Sequence, residues 1–147
     1  MKSILLILAL FGITSYSLAQ LGAEESVRKW YDAYARLDST GFFDFWALDH
    51  KDFVYAHDGE VLKSEQFIDL LNNTIKYTEE ISKASIIEGH LHEISNDAAC
   101  YTAKANVEGI YSSGSKFSFI VTATFVLSKT DSNWKCIQCS ASHIFSQ

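Results

Sequence analysis

Proline is absent from the 147-residue chain, so every reversal must be made with Gly, Asn, Asp or Ser. Basic residues are also few: 12 Lys and Arg stand against 18 Asp and Glu, a formal net charge of −6, and no basic run occurs. Nucleic acids and anionic membrane surfaces are bound through clustered Lys and Arg, so neither partner is expected. No apolar run reaches the ~20 residues that a bilayer-crossing helix needs. Internal repeats, linkers and shifts of composition are missing too, which argues against a second domain. What remains is 48% hydrophobic and 14% aromatic, a globular chain with enough length to bury a sizeable core.

Cysteine is scarce, at three, and the odd count leaves at least one thiol unpaired within a monomer. Cys136 and Cys139 have the CxxC spacing of redox and metal motifs. A redox pair sits at a helix N-terminus, which lowers the thiol pKa, whereas this one falls in mid-strand. Residues three apart on a regular strand point to opposite faces and do not converge on one ion. The two thiols are therefore expected as small buried hydrophobes.

The first residues read as a targeting segment. Lys2 gives a short positive region, Ile4 to Ile13 is apolar apart from Gly12, and Ser17-Leu18-Ala19 has the small residues of a signal-peptidase site. Residues 1–19 are expected to be a signal peptide, with an exported, periplasmic or secreted chain starting at Gln20. Losing Lys2 takes the formal charge from −6 to −7.

The stretch from Asp97 to Phe145 organises the rest. Three β-branched and aromatic runs, Cys100–Tyr111, Lys116–Ser128 and Asn133–Phe145, are separated by short polar turns at Ser112–Ser115 and Thr130–Ser132. No crossover fits between them, so neighbours pair antiparallel. Thr102, Lys104, Asn106 and Glu108 alternate with Tyr101, Ala103, Ala105 and Val107, a wet face and a core face. Upstream, Val27, Trp30, Tyr31, Tyr34 and Leu37 form an aromatic helix stripe that Asp38-Ser39-Thr40-Gly41 should stop. A second, shorter helix carries Phe42, Phe45 and Trp46 on one side, and Asp52–Asp58 reads as a strand turned by Asp58-Gly59. Ser64 is expected to cap a third helix bearing Phe67, Leu70, Leu71 and Ile75. Glu80 to Ser95 is extended. The class is α+β: three N-terminal helices packed on a strongly curved, mainly antiparallel sheet, enclosing a cone.

The order of these elements, with the strings Asp52-Phe53-Val54-Tyr55-Ala56-His57-Asp58-Gly59-Glu60-Val61 and Trp134-Lys135-Cys136-Ile137 running to Ser142-His143, resembles the nuclear transport factor 2-like superfamily and its SnoaL-like branch. The resemblance covers residues 24–145 and implies a single domain over residues 20–147, a cone-shaped pocket and a homodimer packed through the sheet. It also implies roles from isomerase, dehydratase and cyclase to proteins with no known activity. Ketosteroid isomerase, within the same superfamily, uses an Asp base with a Tyr and a neutral Asp as oxyanion donors. Here Tyr31 or Tyr34 stands in for the Tyr, the base position offers Ala56, His57 and Asp58, and Val121-Thr122-Ala123-Thr124 offers no second acid. Steroid-type isomerisation is not expected.

The candidate ligand contacts are Trp30, Tyr34, Trp46, Tyr55 and Tyr101 as walls, with His57 or His143 as polar anchor. His57 shares a strand face with Phe53 and Tyr55, and an unperturbed pKa near ~6.5 suits a general base. His143 lies in register with Ile137, Cys139, Ala141 and Phe145, whereas Trp134 falls in the opposite register unless a bulge intervenes. Glu88, His90 and His92 alternate on one strand face, but no fourth ligand accompanies them, so no metal is expected there, and no cofactor motif is present. Three roles fit the residues: binding of a small apolar or aromatic molecule, acid–base catalysis through His57, or a filled, non-catalytic homodimeric interaction module.

Overall fold

The computed structural model describes residues 22–145, so the expected signal peptide at residues 1–19 lies outside the described residues. Helix α1 (residues 22–35) buries Ala23, Val27 and Tyr31 and packs the larger rings of Trp30 and Tyr34 against the same core. Its outer face is tied by the i,i+4 pairs Glu24–Arg28 at 2.6 Å and Glu25–Lys29 at 2.9 Å. The helix ends where Leu37 turns left-handed (φ 51°) and the Asp38 amide reaches back to the Ala33 carbonyl at 2.9 Å. The Asp38–Gly41 string does not itself stop α1. It starts α2 (Ser39–Asp44), because the Asp38 carboxylate accepts from the Gly41 amide as an N-cap. That second helix is also shorter than its aromatic pattern implied. Phe45 is its C-cap, and Trp46 has already left it to bridge Cys136 on the last strand.

Strands β1 (Val54–His57) and β2 (Glu60–Leu62) form a hairpin closed by Asp58 (φ 46°) and Gly59 (φ 93°). Two left-handed residues in a two-residue loop are the type I′ geometry, which Asp-Gly adopts readily. Helix α3 (Ser64–Tyr77) buries Phe67 and Leu71. Ser64 is its first residue, not its cap: Lys63 holds that position, with its amide donating to the Gln66 side chain at 3.1 Å. The Ser64 hydroxyl instead donates to the Leu48 carbonyl at 2.6 Å, tying α3 to the loop before β1.

Four long strands follow: β3 (Thr78–Ser95), β4 (Ala98–Tyr111), β5 (Lys116–Thr130) and β6 (Asn133–Phe145). The six-stranded sheet runs in the order β2-β1-β6-β5-β4-β3, and only β1–β6 is parallel. The α+β fold and its mainly antiparallel sheet are as expected. Ala99, Tyr101, Ala103, Ala105 and Val107 of β4 are buried while their alternates face out, where Thr102 and Thr124 share a hydrogen bond at 3.0 Å. Four register shifts in the β3–β4 pairing bend the sheet around the helices.

A bulge in β6 changes one sequence expectation. Val126 pairs with Gln138 and Leu127 with Cys136, so Ile137 is the extra residue. Cys136 and Cys139 consequently share the inner face, both buried and unpaired, rather than pointing apart. The same slip puts Trp134, two residues before Cys136, on the face of Cys139, where it packs against the core. Burial pushes both thiols well above their usual range, so neither is a reactive thiolate.

One register row is nearly empty of side chains: Gly89, Ala103, Ala123 and Ala141 are successive partners across β3 to β6. At its start, Tyr101 lies over Gly89. A Cβ on Gly89 would collide with the Tyr101 hydroxyl and come within 2.7 Å of the ring. Gly89→Ala should cost about 1–3 kcal/mol in urea unfolding, as overpacking does. Tyr101→Phe should relieve part of that cost, since the hydroxyl is the nearest obstacle. Equal losses in both backgrounds would refute the packing account.

Candidate functional site

The far half of this row, Ala123 and Ala141, lies in the floor of a cavity of about 410 Å³ between the concave sheet face, α1 and α3. Of the sequence-selected residues, Trp30, Tyr34, Trp46, Tyr55, His57 and His143 all line it. Tyr101 does not: it is buried over Gly89, with its hydroxyl 3.5 Å from a Glu24 carboxylate oxygen. The sequence clue was Gly89 itself, since a glycine within a strand often marks the close approach of another group.

Trp30 is the hub of the wall. Its ring centroid lies 4.9 Å from Tyr31, 5.8 Å from Tyr34, 5.5 Å from Phe42 and 5.4 Å from Trp46. From there the rings continue through Trp46–Phe67 at 4.7 Å and Phe67–Tyr55 at 4.3 Å to His57, 5.4 Å from Tyr55. The Trp30 and Trp46 indole nitrogens are buried without a hydrogen-bond partner among the described residues. Both indoles meet neighbouring rings edge-on, at 74° to Tyr31 and to Phe67, the offset that aromatic quadrupoles favour. Tyr31, Phe42, Phe67, Phe119 and Phe125, not singled out from the sequence as ligand contacts, also line the wall.

The polar end comes from the β1–β2 turn and β6. Asp58 Oδ1 accepts from the His143 amide at 2.9 Å, and Oδ2 lies 2.8 Å from His143 Nδ1 and 3.6 Å from His57 Nδ1. The Asp58 amide donates to the Ala141 carbonyl at 3.3 Å, fixing the turn against the sheet. Partial burial alone would push the Asp58 carboxyl up. The His143 amide, the His143 ring and the His57 ring outweigh it and hold the carboxyl below its usual range. With Nδ1 of His143 donating to this carboxylate, Nε2 is the nitrogen free to accept a proton. From its residues Asp58 read as half of a turn signal, and from the resemblance as one of three residues at the base position; its pairing with His143, 85 residues away, was not legible.

Of the five tyrosines that line the cavity, Tyr31, Tyr34 and Tyr55 are deeply buried, whereas Tyr77 and Tyr111 are exposed. Burial pushes the Tyr34 hydroxyl up to about 12, and it raises Tyr31 and Tyr55 further, reinforced by Cys139 and neighbouring phenols. All three are neutral O–H donors across the ordinary pH range. The Glu88, His90 and His92 row does not converge. Glu88 and His90 pair at 2.7 Å on the wet face, and among the described residues the donor atoms that cluster are those of His57, Asp58 and His143.

The family model of the SnoaL-like domain matches residues 23–146. The chain belongs to the SnoaL-like domain family. No curated protein matches it. Solved structures of similar fold include a nuclear transport factor 2-like protein from Streptomyces avermitilis, provisionally assigned as a dehydratase. It has a TM-score of 0.75 at 19% identity, over 88% of this chain and 99% of that one. A nuclear transport factor 2-like superfamily protein from Salmonella enterica is similar with a TM-score of 0.74 at 11% identity, over 86% and 92% of the two chains. A ketosteroid isomerase-like protein from Erwinia carotovora gives 0.68 at 15% identity, over 85% and 95%. At these identities the likeness shows the fold alone, and this SnoaL-like chain has the cone of the superfamily.

A carboxyl held below its unfolded value stabilises the fold above that value, near ~3.9, and loses the contribution as pH falls through the folded one. Asp58→Asn keeps the left-handed turn and the acceptor for the His143 amide but cannot ionise. Melting temperatures followed from pH 7 to pH 3 should fall less in this variant than in the wild type. Parallel profiles would remove Asp58 from the acid limb.

Proposed function

We propose that this SnoaL-like chain binds a small, neutral, largely apolar or aromatic molecule in its cone, with His57, Asp58 and His143 meeting the ligand's polar group. The observation that carries the reading is the aromatic cavity with one polar end. Its volume, about 410 Å³, falls within the roughly 300–1,000 Å³ of small-molecule sites. The lining contains no Lys or Arg and one carboxylate, Asp58, so an anionic ligand finds no counter-charge. Export, supported by the apolar N-terminal run and Ser17-Leu18-Ala19, and a homodimer, supported by the family resemblance, belong to the same reading.

Titration calorimetry with 1-naphthol and 1-naphthoate tests the cavity and its charge preference. The naphthol should bind 1:1 and the naphthoate at least about tenfold more weakly, a difference of ~1.4 kcal/mol. Ala123→Leu, which directs bulk into the void from the floor, should abolish naphthol binding while the protein stays folded. Unchanged binding in that variant would place the ligand elsewhere.

A second reading, acid–base catalysis, is favoured by the Asp58–His143 pair. The names of the Streptomyces and Erwinia relatives point to the same class of chemistry. His143 Nε2 would take a proton from the ligand, and a neutral phenol such as Tyr55 would donate to the oxygen that gains charge. His57, the residue favoured from the sequence, lies farther from the carboxylate and becomes the auxiliary group. On 2-tetralone, a neutral bicyclic ketone, deuterium exchange beside the carbonyl should be accelerated by the wild type. His143→Gln should slow it by roughly 10²-fold or more, the usual worth of a positioned base. An exchange rate untouched by His143→Gln would refute the role.

A further inference from the structure

We infer that His57, Asp58 and His143 also form a binding site for a divalent transition-metal ion at the end of the cavity. One donor atom from each residue lies within 4.8 Å of the other two. Asp58 Oδ2 stands between the rings, 2.8 Å from His143 Nδ1 and 3.6 Å from His57 Nδ1. Ligands in a tetrahedral zinc site, with bonds of ~2.0–2.1 Å, are separated by roughly 3.4 Å. The cluster is on that scale, and small rotations of two partly exposed imidazoles bring it to the required distances. The ion takes the place of the hydrogen that now joins Asp58 to His143: Nδ1 gives up that proton and Nε2 takes one from solvent, so the neutral ring changes tautomer with no net proton released.

The scaffold around these atoms is rigid. Asp58 is set by its left-handed turn and by the bond from its amide to Ala141. Its Oδ1 is occupied by the His143 amide, which orients the carboxylate and leaves Oδ2 to ligate, as outer contacts do in metal centres. The rings pack against Tyr55 at 5.4 Å and Phe119 at 5.3 Å, limiting their sweep. Solvent still reaches the site, since the side chains of His57, Asp58 and His143 are 21%, 41% and 19% exposed. Two nitrogens and one carboxylate oxygen select zinc, cobalt, iron or nickel over magnesium and calcium, which prefer all-oxygen shells. Three protein ligands leave a coordination position open toward the cavity, where a ligand's oxygen could complete the shell.

The test uses tag-free protein freed of metal with a chelator and titrated with Co²⁺, read by its visible d–d bands and by calorimetry. The wild type should bind one ion. Asp58→Asn and His57→Gln should each weaken it by at least about 100-fold, beyond the roughly 10–100-fold that loss of an outer contact costs. Glu88→Gln, on the wet face, should bind as the wild type does. Absence of binding at millimolar Co²⁺, or equal affinity in Asp58→Asn, would overturn the metal site, as would loss on Glu88→Gln. Naphthol titration of the metal-free protein separates the two readings: binding there with no Co²⁺ site leaves the small-molecule cavity standing and removes this inference alone.

Discussion

The hollow of this fold depends on a row of small side chains whose far half does not fill the space it faces. Ala103, Ala123 and Ala141 stand opposite one another on three adjacent strands, preceded by Gly89 and followed by His57 on β1. A bent sheet brings its concave face toward the helices, and side-chain length decides whether the hollow closes. At Phe125 it closes, against Trp30 and Tyr31. At Ala123 and Ala141 it does not, and the void there is roofed by α3. The cavity therefore reflects missing methylenes at specific register positions rather than loose packing, because the surrounding aromatic core is tightly interlocked.

The row also explains why the polar groups gather where they do. It leads across the sheet to the parallel pairing of β6 with β1, and His57 is the residue paired with Ala141 there. The Asp-Gly turn comes immediately afterwards, so the carboxylate of Asp58 folds back over the strand end it has just left. His143, two residues beyond Ala141 on the same face, receives it. Backbone geometry thus puts one acid and two imidazoles at the rim of an otherwise apolar hollow. Their proximity costs little, because each partner stabilises the carboxylate's charged form.

The sequence was most readable where a single period governed. The two faces of β4, the aromatic stripe of α1 and the antiparallel order of the late strands all follow from spacing of two or of three to four. It was least readable where one residue broke the period. Ile137 adds a position to β6, and Cys136 and Cys139 then face the same way despite their three-residue separation. The site shows the same division. Trp30, Tyr34, Trp46, Tyr55, His57 and His143 could be chosen from strand and helix faces, and the fold gathers them. Tyr101 has the inward register but was assigned to the cavity, because nothing local says that its ring bends over the glycine of a neighbouring strand. Asp58 was visible as turn chemistry and, through the resemblance, at the base position; its pairing across 85 residues has no local signal.

The irregular course of β3 has a consequence for how copies of this chain can meet. It is the outer strand of the described sheet and 18 residues long, a span of unpaired backbone that would ordinarily template another strand. Its register slips four times, and Glu79, Glu80, Lys83, Glu88 and Glu93 punctuate it with charge. An incoming strand would have to copy every slip to keep its hydrogen bonds in step. The bends that give the cone its hollow thus also guard this border against an added strand.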